Sequence, residues 1–190
     1  MREHPESPPP LQWNGSEGLG NPQSNSFSME WLAGLIVGEG CFTIGAYRLK
    51  QSKSGWIRLS PVFSLSMTDL VTMERVATSM REHGLRIYLS KRASVSKHGS
   101  RPALNVQSTG IGSVGEIARA FAPLLSGQKQ EAAEIVARFC ERRLNRHKRG
   151  IDEDDIRDVE AIRRVNARNG GTKYSIEDLR DYTVGAPLRG

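Results

Sequence analysis

Only two cysteines occur in the 190 residues, Cys41 and Cys140, far apart and without a C-x-x-C spacing. That excludes a disulfide framework. The 4 histidines are scattered and supply no zinc spacing. No apolar run approaches the ~20 residues a bilayer helix needs. The opening residues carry Glu3, Glu6 and a run of prolines ending at Pro10, unlike a secretory signal. A reducing, intracellular setting is therefore expected (cytoplasm, nucleoid or organelle), with no membrane partner. Acid is the scarcer charge: 21 Asp plus Glu face 27 Lys plus Arg, a net of +6. With 37% apolar and 25% charged residues, the chain has material for one ordinary core and one domain.

Residues 1–28 hold Arg2 against Glu3, Glu6 and Glu17, so the positive excess belongs to the rest of the chain. Arg81, Arg86, Lys91, Arg92, Lys97 and Arg101 face the single acid Glu82 before Gln107. Arg142, Arg143, Arg146, Lys148 and Arg149 close a helix. Phosphate neutralisation would account for both clusters. Cations favoured at a helix C-terminus, together with a solvated basic face, would account for the second equally well.

Residues 1–26 are rich in Pro, Gly, Ser and Asn and read as a flexible leader. From the cap Ser28, Trp31, Leu32, Leu35 and Ile36 fall at helical spacing. Cys41 to Lys50 then alternates, with Phe42 and Ile44 on one face, turns at Lys53-Ser54-Gly55, and returns through Trp56 to Ser66 as a long hairpin. Leu70, Met73, Val76, Ala77 and Met80 make a second helix, stopped by Gly84. A second hairpin runs through Ile87 to Ser90, turns at Lys97 to Ser100 and returns at Leu104 to Gln107. Ser113-x-x-Glu116 has the pattern of a capping box. Gln128 to Arg146 is a clear helix, and Asp152 to Asp155 open another with Ile156, Val159, Ile162 and Val165 inward.

The order predicts an α/β (α+β) domain, αββαββα, with an antiparallel sheet covered by helices on one face. It spans 27–168, followed by an extension at 169–190. By strand parity the open face carries Thr43, Tyr47, Arg58, Ser60, Ser64, Tyr88, Ser90, Arg92, Asn105 and Gln107. Cations, hydroxyls, amides and aromatics of this kind can contact phosphates and base edges.

The most specific stretch is Leu32-Ala33-Gly34-Leu35-Ile36-Val37-Gly38-Glu39-Gly40. An apolar helix ends in an acid between two glycines. Gly34 and Gly38 share a face where another helix can approach closely, and Glu39 sits at the mouth of that contact, where a carboxylate can hold a divalent cation; on these residues alone an ordinary helix end with a glycine stop and a solvated glutamate accounts for the pattern as well.

This stretch resembles the signature of the LAGLIDADG homing endonucleases, departing from it at Val37, Gly38 and Glu39. The resemblance extends to the order of elements from about Ser28 to Asn166. It implies that the motif helices of two units pack side by side and present one acid each to shared metal ions. There is no second copy of the motif, so the chain resembles the single-motif, homodimeric members, with Gly34, Leu35 and Gly38 at the interface. The resemblance further implies a long, pseudo-palindromic double-stranded DNA target, roughly 18 or more base pairs by strand length. Glu39 is then the catalytic and metal-binding acid, Gly38 lies beside the metal, and Lys129 is the basic residue stabilising the transferring phosphate. The polar residue common in the family after the second strand is Met67 here, which passes its water-positioning role to Ser66 or Thr68. Mg²⁺ is the expected cofactor; Mn²⁺ could replace it, and Ca²⁺ is expected to support binding without cleavage.

The expected function is metal-dependent, site-specific double-strand cleavage. An intron is the expected coding context, since the splicing elements an intein needs at both ends are not recognised. Two alternatives use the same saddle: an RNA-binding maturase assisting splicing, and a non-cleaving DNA-binding regulator. The acid at Glu39 favours the nuclease.

Overall fold

The computed structural model describes residues 26–48, 57–92, 103–146, 150–166 and 174–181. Ser28 Oγ accepts the Trp31 amide at 3.3 Å and opens α1, Met29–Glu39. Strand β1, Gly40–Arg48, begins on the next residue, with no connector. A Cβ at Gly40 would stand 2.7 Å from Ile36 Cγ2 and 2.8 Å from the Ile36 carbonyl oxygen. Only glycine fits that abrupt passage from helix to strand.

β1 pairs antiparallel with β2, Ile57–Met67. The other strands, β3 at Tyr88–Arg92 and β4 at Ala103–Ser108, complete a sheet of order β1-β2-β4-β3, antiparallel throughout. Both turns predicted within the hairpins lie outside the described residues. Alternation sorts the faces. Along β2, Ile57, Leu59, Phe63 and Leu65 are buried, whereas Arg58 is exposed and Ser60, Ser64 and Ser66 are half-buried. Phe42 and Phe63, register partners on the buried face, pack with rings tilted by 44° and centroids 5.0 Å apart.

Helices cover that face. Asp69 caps α2, Leu70–Glu82, by accepting the Thr72 amide, and Gly84 follows its end in the left-handed region at φ 78. The third helix, α3 at Ile111–Phe121, runs through the short 3-10 turn Ala122–Leu124 towards α4, Gly127–Leu144. Phe121, Phe139, Val136, Ile117 and Val114 are fully buried against the sheet. The capping box expected at Ser113 and Glu116 does not form. Gly110 is the N-cap and makes no side-chain cap bond, Ser113 lies inside the helix, and Glu116 instead accepts Arg86 at 3.1 Å. Burial of Val114, Ile117 and Phe121 sets where this helix starts, not the local pattern.

The true boxes lie later. Asp152 and Asp155 form one at the start of α5, Glu153–Val165, and Ser175 and Asp178 form another at α6, Ile176–Arg180, whose Leu179 is fully buried. The joint between α4 and α5 is ionic. Asp155 pairs with Arg143 at 3.0 Å and Arg146 at 3.2 Å, while Asp158 pairs with Arg138 at 2.6 Å and with Arg142. Burial raises the Asp155 carboxyl above its ordinary pKa, against the pull of Arg143. Asn166, the residue ending α5, donates through Nδ2 to the Phe42 carbonyl of β1 at 2.8 Å. No described helix is long and apolar enough to cross a membrane.

Candidate metal centre and nucleic-acid interface

α1 is apolar nearly all round, yet only part of it is covered. Leu32, Ala33 and Ile36 are buried, but Gly34 and Gly38 are exposed and Leu35 is half-buried. Trp31 and Val37 each keep 43% of their surface accessible. A Cβ at Gly34 or Gly38 would meet nothing within 4 Å among the described residues. A helix apolar on both sides ordinarily has a partner on both sides, and within one chain the side bearing the two glycines has none among the described residues.

Glu39 is the last residue of this helix and is exposed, with no hydrogen bond or ion pair among the described residues. The last carbonyls of a helix lack intrahelical partners and carry its partial negative charge, which attracts cations. Gly38 contributes such a carbonyl one residue before the carboxylate. A hard divalent ion suits this oxygen set. No three His, Cys, Asp or Glu side chains among the described residues gather closely enough to hold a metal. An ion at Glu39 would therefore draw its remaining ligands from backbone, water, phosphate or a second copy.

Lys129 comes to the same place from the first turn of α4. Its Nζ donates to the carbonyl of Gly40, the residue after Glu39. The Cys41 thiol, next along β1, is pushed up by burial, with the Lys129 ammonium pulling the other way. Met67 is paired with Leu104 and packs against the core, on the helix-facing side of β2. It therefore cannot address the open face. Ser66 does, and its hydroxyl donates to Asn105 Oδ1 at 2.9 Å.

Register brings most of the other candidates together in rows across the open face. Cys41, Ser64, Gln107 and Tyr88 form one row; Ser66, Asn105 and Ser90 form the row nearer Glu39. Thr43 lies opposite Val62, and Tyr47 opposite Arg58, towards the far end. Tyr47 folds over Gly45, where a Cβ would stand 2.7 Å from the ring. Ser60 donates to the Thr109 carbonyl at 3.3 Å. Tyr88 is 66% and Tyr47 53% accessible. Arg92 sits opposite Ala103 in the ladder, with its side chain outside the described set. The open-face positions Cys41 and Ser66 extend the predicted list; the same alternation that marked the others marks them.

The basic clusters are placed differently. Arg142, Arg143 and Arg146 are engaged by the acids of α5 rather than free for polyanions or left on a solvated face. Lys148 and Arg149 lie outside the described residues, as do Lys97 and Arg101. Arg86 is paired with Glu116, and Lys91, opposite Leu104, belongs to the helix-side register.

No protein-family model and no curated relative matches the chain by sequence. Solved structures do match by shape. The homing endonuclease I-CvuI, in complex with its target in the presence of calcium, superposes with a TM-score of 0.60 at 14% identity, covering 81% of this chain and 90% of that one. The archaeal intron-encoded homing endonuclease I-Vdi141I, complexed with DNA, gives 0.58 at 17%, over 80% of this chain and 91% of that one. The LAGLIDADG homing endonuclease I-LtrWI, bound to target DNA, gives 0.58 at 21%, over 79% of this chain but 47% of that one. By these superpositions the chain has the fold of the LAGLIDADG homing endonucleases.

Proposed function

We propose that the chain is a site-specific DNA endonuclease that works as a homodimer and hydrolyses both strands of a long, nearly palindromic target with a divalent cation. The observation that carries this reading is the end of α1: an unengaged Glu39 carboxylate beside a bare glycine-lined helix face, with the Lys129 ammonium tethered one residue away. The fold adds support, since its solved neighbours hold DNA. Matching about half of I-LtrWI fits one chain supplying half of a two-unit enzyme.

In this reading Glu39 of each protomer and the Gly38 carbonyl would hold Mg²⁺, which would supply activation of a water and stabilisation of the leaving 3′ oxygen. Lys129 adds fixed positive charge beside the reacting phosphate, in a position already set by its bond to Gly40. Ser66 is the hydroxyl best placed by register to orient water at that end of the sheet. The open face positions the duplex. The 9 residues of β1 and 11 of β2 extend roughly 30–36 Å at ~3.3 Å each, about nine to ten base pairs per half-site at ~3.4 Å. The functional domain is taken as 27–168, and an intron as its coding context.

Selection from a randomised duplex pool tests the proposal, first in Ca²⁺ for binding and then in Mg²⁺ for cutting, with wild type and Glu39→Gln side by side. Cleavage of one near-palindromic site by wild type alone is expected. Binding by both without cutting by either would leave a DNA-binding saddle and remove the enzyme.

A further inference from the structure

The polar groups at the Glu39 end of the sheet are wired in one direction. Ser66 Oγ donates to Asn105 Oδ1 at 2.9 Å, and Asn105 Nδ2 donates to Gln107 Oε1 at 2.8 Å. Ser66 and Asn105 are register partners, and Gln107 stands two residues further along the same face. A weaker bond at 3.4 Å from Ser90 Oγ to the Asn105 carbonyl ties the centre of this chain to β3. One lone pair of the Gln107 amide oxygen, the side chain's single acceptor atom, is thus engaged, while Nε2 has no partner among the described residues.

That asymmetry has a chemical meaning in the major groove. A free glutamine amide offers a donor and an acceptor side by side, which matches the N7 and N6 of adenine. With its oxygen turned onto Asn105, Gln107 presents donors alone. Guanine is the base whose groove edge shows two adjacent acceptors, N7 and O6. We infer that Gln107 reads guanine at one position of each half-site, held in a donor-only orientation by Asn105 and, through it, by Ser66. Gln107 is the specificity-determining residue; Asn105 and Ser66 are positioning residues. The inference rests on duplex DNA being the ligand of the open face. It goes beyond that reading by fixing a base.

Pool selection in Ca²⁺ with wild type and three variants tests it, using the information at each base position as readout and the melting temperature as a folding control. Wild type should enrich guanine at one symmetric pair of positions by on the order of ten- to a hundredfold. Gln107→Ala should erase that preference and leave the other positions intact. Gln107→Glu, an acceptor only, should move it to cytosine, whose N4 donates. Asn105→Asp is the sharper variant. It replaces the donor facing Gln107 with an acceptor, so the amide turns its Nε2 inward and shows one N–H and its oxygen to the groove. The preference should then move from guanine to adenine. An adenine preference already in wild type, a guanine column indifferent to Gln107→Ala, or no shift on Asn105→Asp would each overturn the assignment and leave the endonuclease reading standing. A wild type that enriches no duplex at all would instead remove DNA as the ligand, and this inference with it.

Discussion

Lys129 and Gly40 are joined by a hydrogen bond across 89 residues of sequence, from the first turn of α4 to the residue that follows Glu39. This bond binds the helical layer to the end of the motif helix. It also fixes a positive charge where an acid and a phosphate would meet. Lys129→Met should lower cleavage by roughly a hundred- to a thousandfold, with DNA affinity in Ca²⁺ changed far less. Because the bond is charge-assisted, stability should fall by about 1.5–3 kcal/mol, read by urea denaturation. A variant with full activity would leave the residue with structural work alone.

Glu39→Gln keeps the shape of the helix end and removes the anionic oxygen. Cutting in Mg²⁺ should disappear, while the half-saturation for a target duplex in Ca²⁺ stays within about threefold, since the open face of the sheet and not this carboxylate supplies the recognition. Gel-shift and nicking assays on one duplex separate the two effects. Loss of both together would count against Glu39 as a metal ligand.

Two glycines of the motif should respond in opposite ways. A Cβ at Gly38 meets nothing within 4 Å among the described residues, so the Gly38→Leu monomer should keep its melting temperature while sedimentation shows the dimer lost. Gly40→Ala drives a methyl into the Ile36 turn. It should cost the fold about 1–3 kcal/mol without changing the assembly of whatever remains folded. A Gly38→Leu protein that still sediments as a dimer would place the interface elsewhere.

The arginines of α4 offer a contrast between stability and binding. Arg143 is 11% exposed and engaged by fully buried Asp155. Arg143→Ala should destabilise by about 3 kcal/mol, because a buried carboxylate loses a partner. The slope of log affinity against log salt should be unchanged. A shallower slope would return this cluster to the list of phosphate contacts.

The two thiols should differ in reactivity. Burial pushes Cys140 up to about 12, so at neutral pH it is almost entirely protonated and inert. Cys41 is raised less, is only half-buried and lies on the open face. Titration with an aromatic disulfide reagent should find one slow thiol in the native protein and two in denaturant. A target duplex should shield the slow one.

Much of this architecture was legible in the sequence because it depends on short-range periods. The alternation of Phe42 and Ile44 with Thr43 and Tyr47, and the Ile135, Val136, Phe139 spacing, follow from strand and helix geometry alone. The same spacing places Gly34 and Gly38 on one face of α1 and Glu39 at its end, whereas the metal-binding role expected of Glu39 comes from the resemblance alone. What escaped depends on contacts distant in sequence. The arginines of α4 look like a polyanion site until Asp155 and Asp158 fold against them. Ser113 and Glu116 have capping-box spacing, but tertiary burial starts the helix earlier and gives Glu116 to Arg86. The Ser66–Asn105–Gln107 chain needs the register between β2 and β4, which the intervening helix and hairpin set together.

One consequence concerns how copies of this chain can meet. β1 is the outer strand of the sheet, and carbonyls two residues apart along a strand point to the same side. Those of Gly40 and Phe42 are occupied by Lys129 and Asn166. The first two acceptors that a foreign strand would seek are therefore blocked by side chains from two different helices. Growth of the sheet by strand addition is discouraged at this end of β1, beside the α1 face that no described residue covers. The lysine next to the acid thus also caps this end of the β-edge.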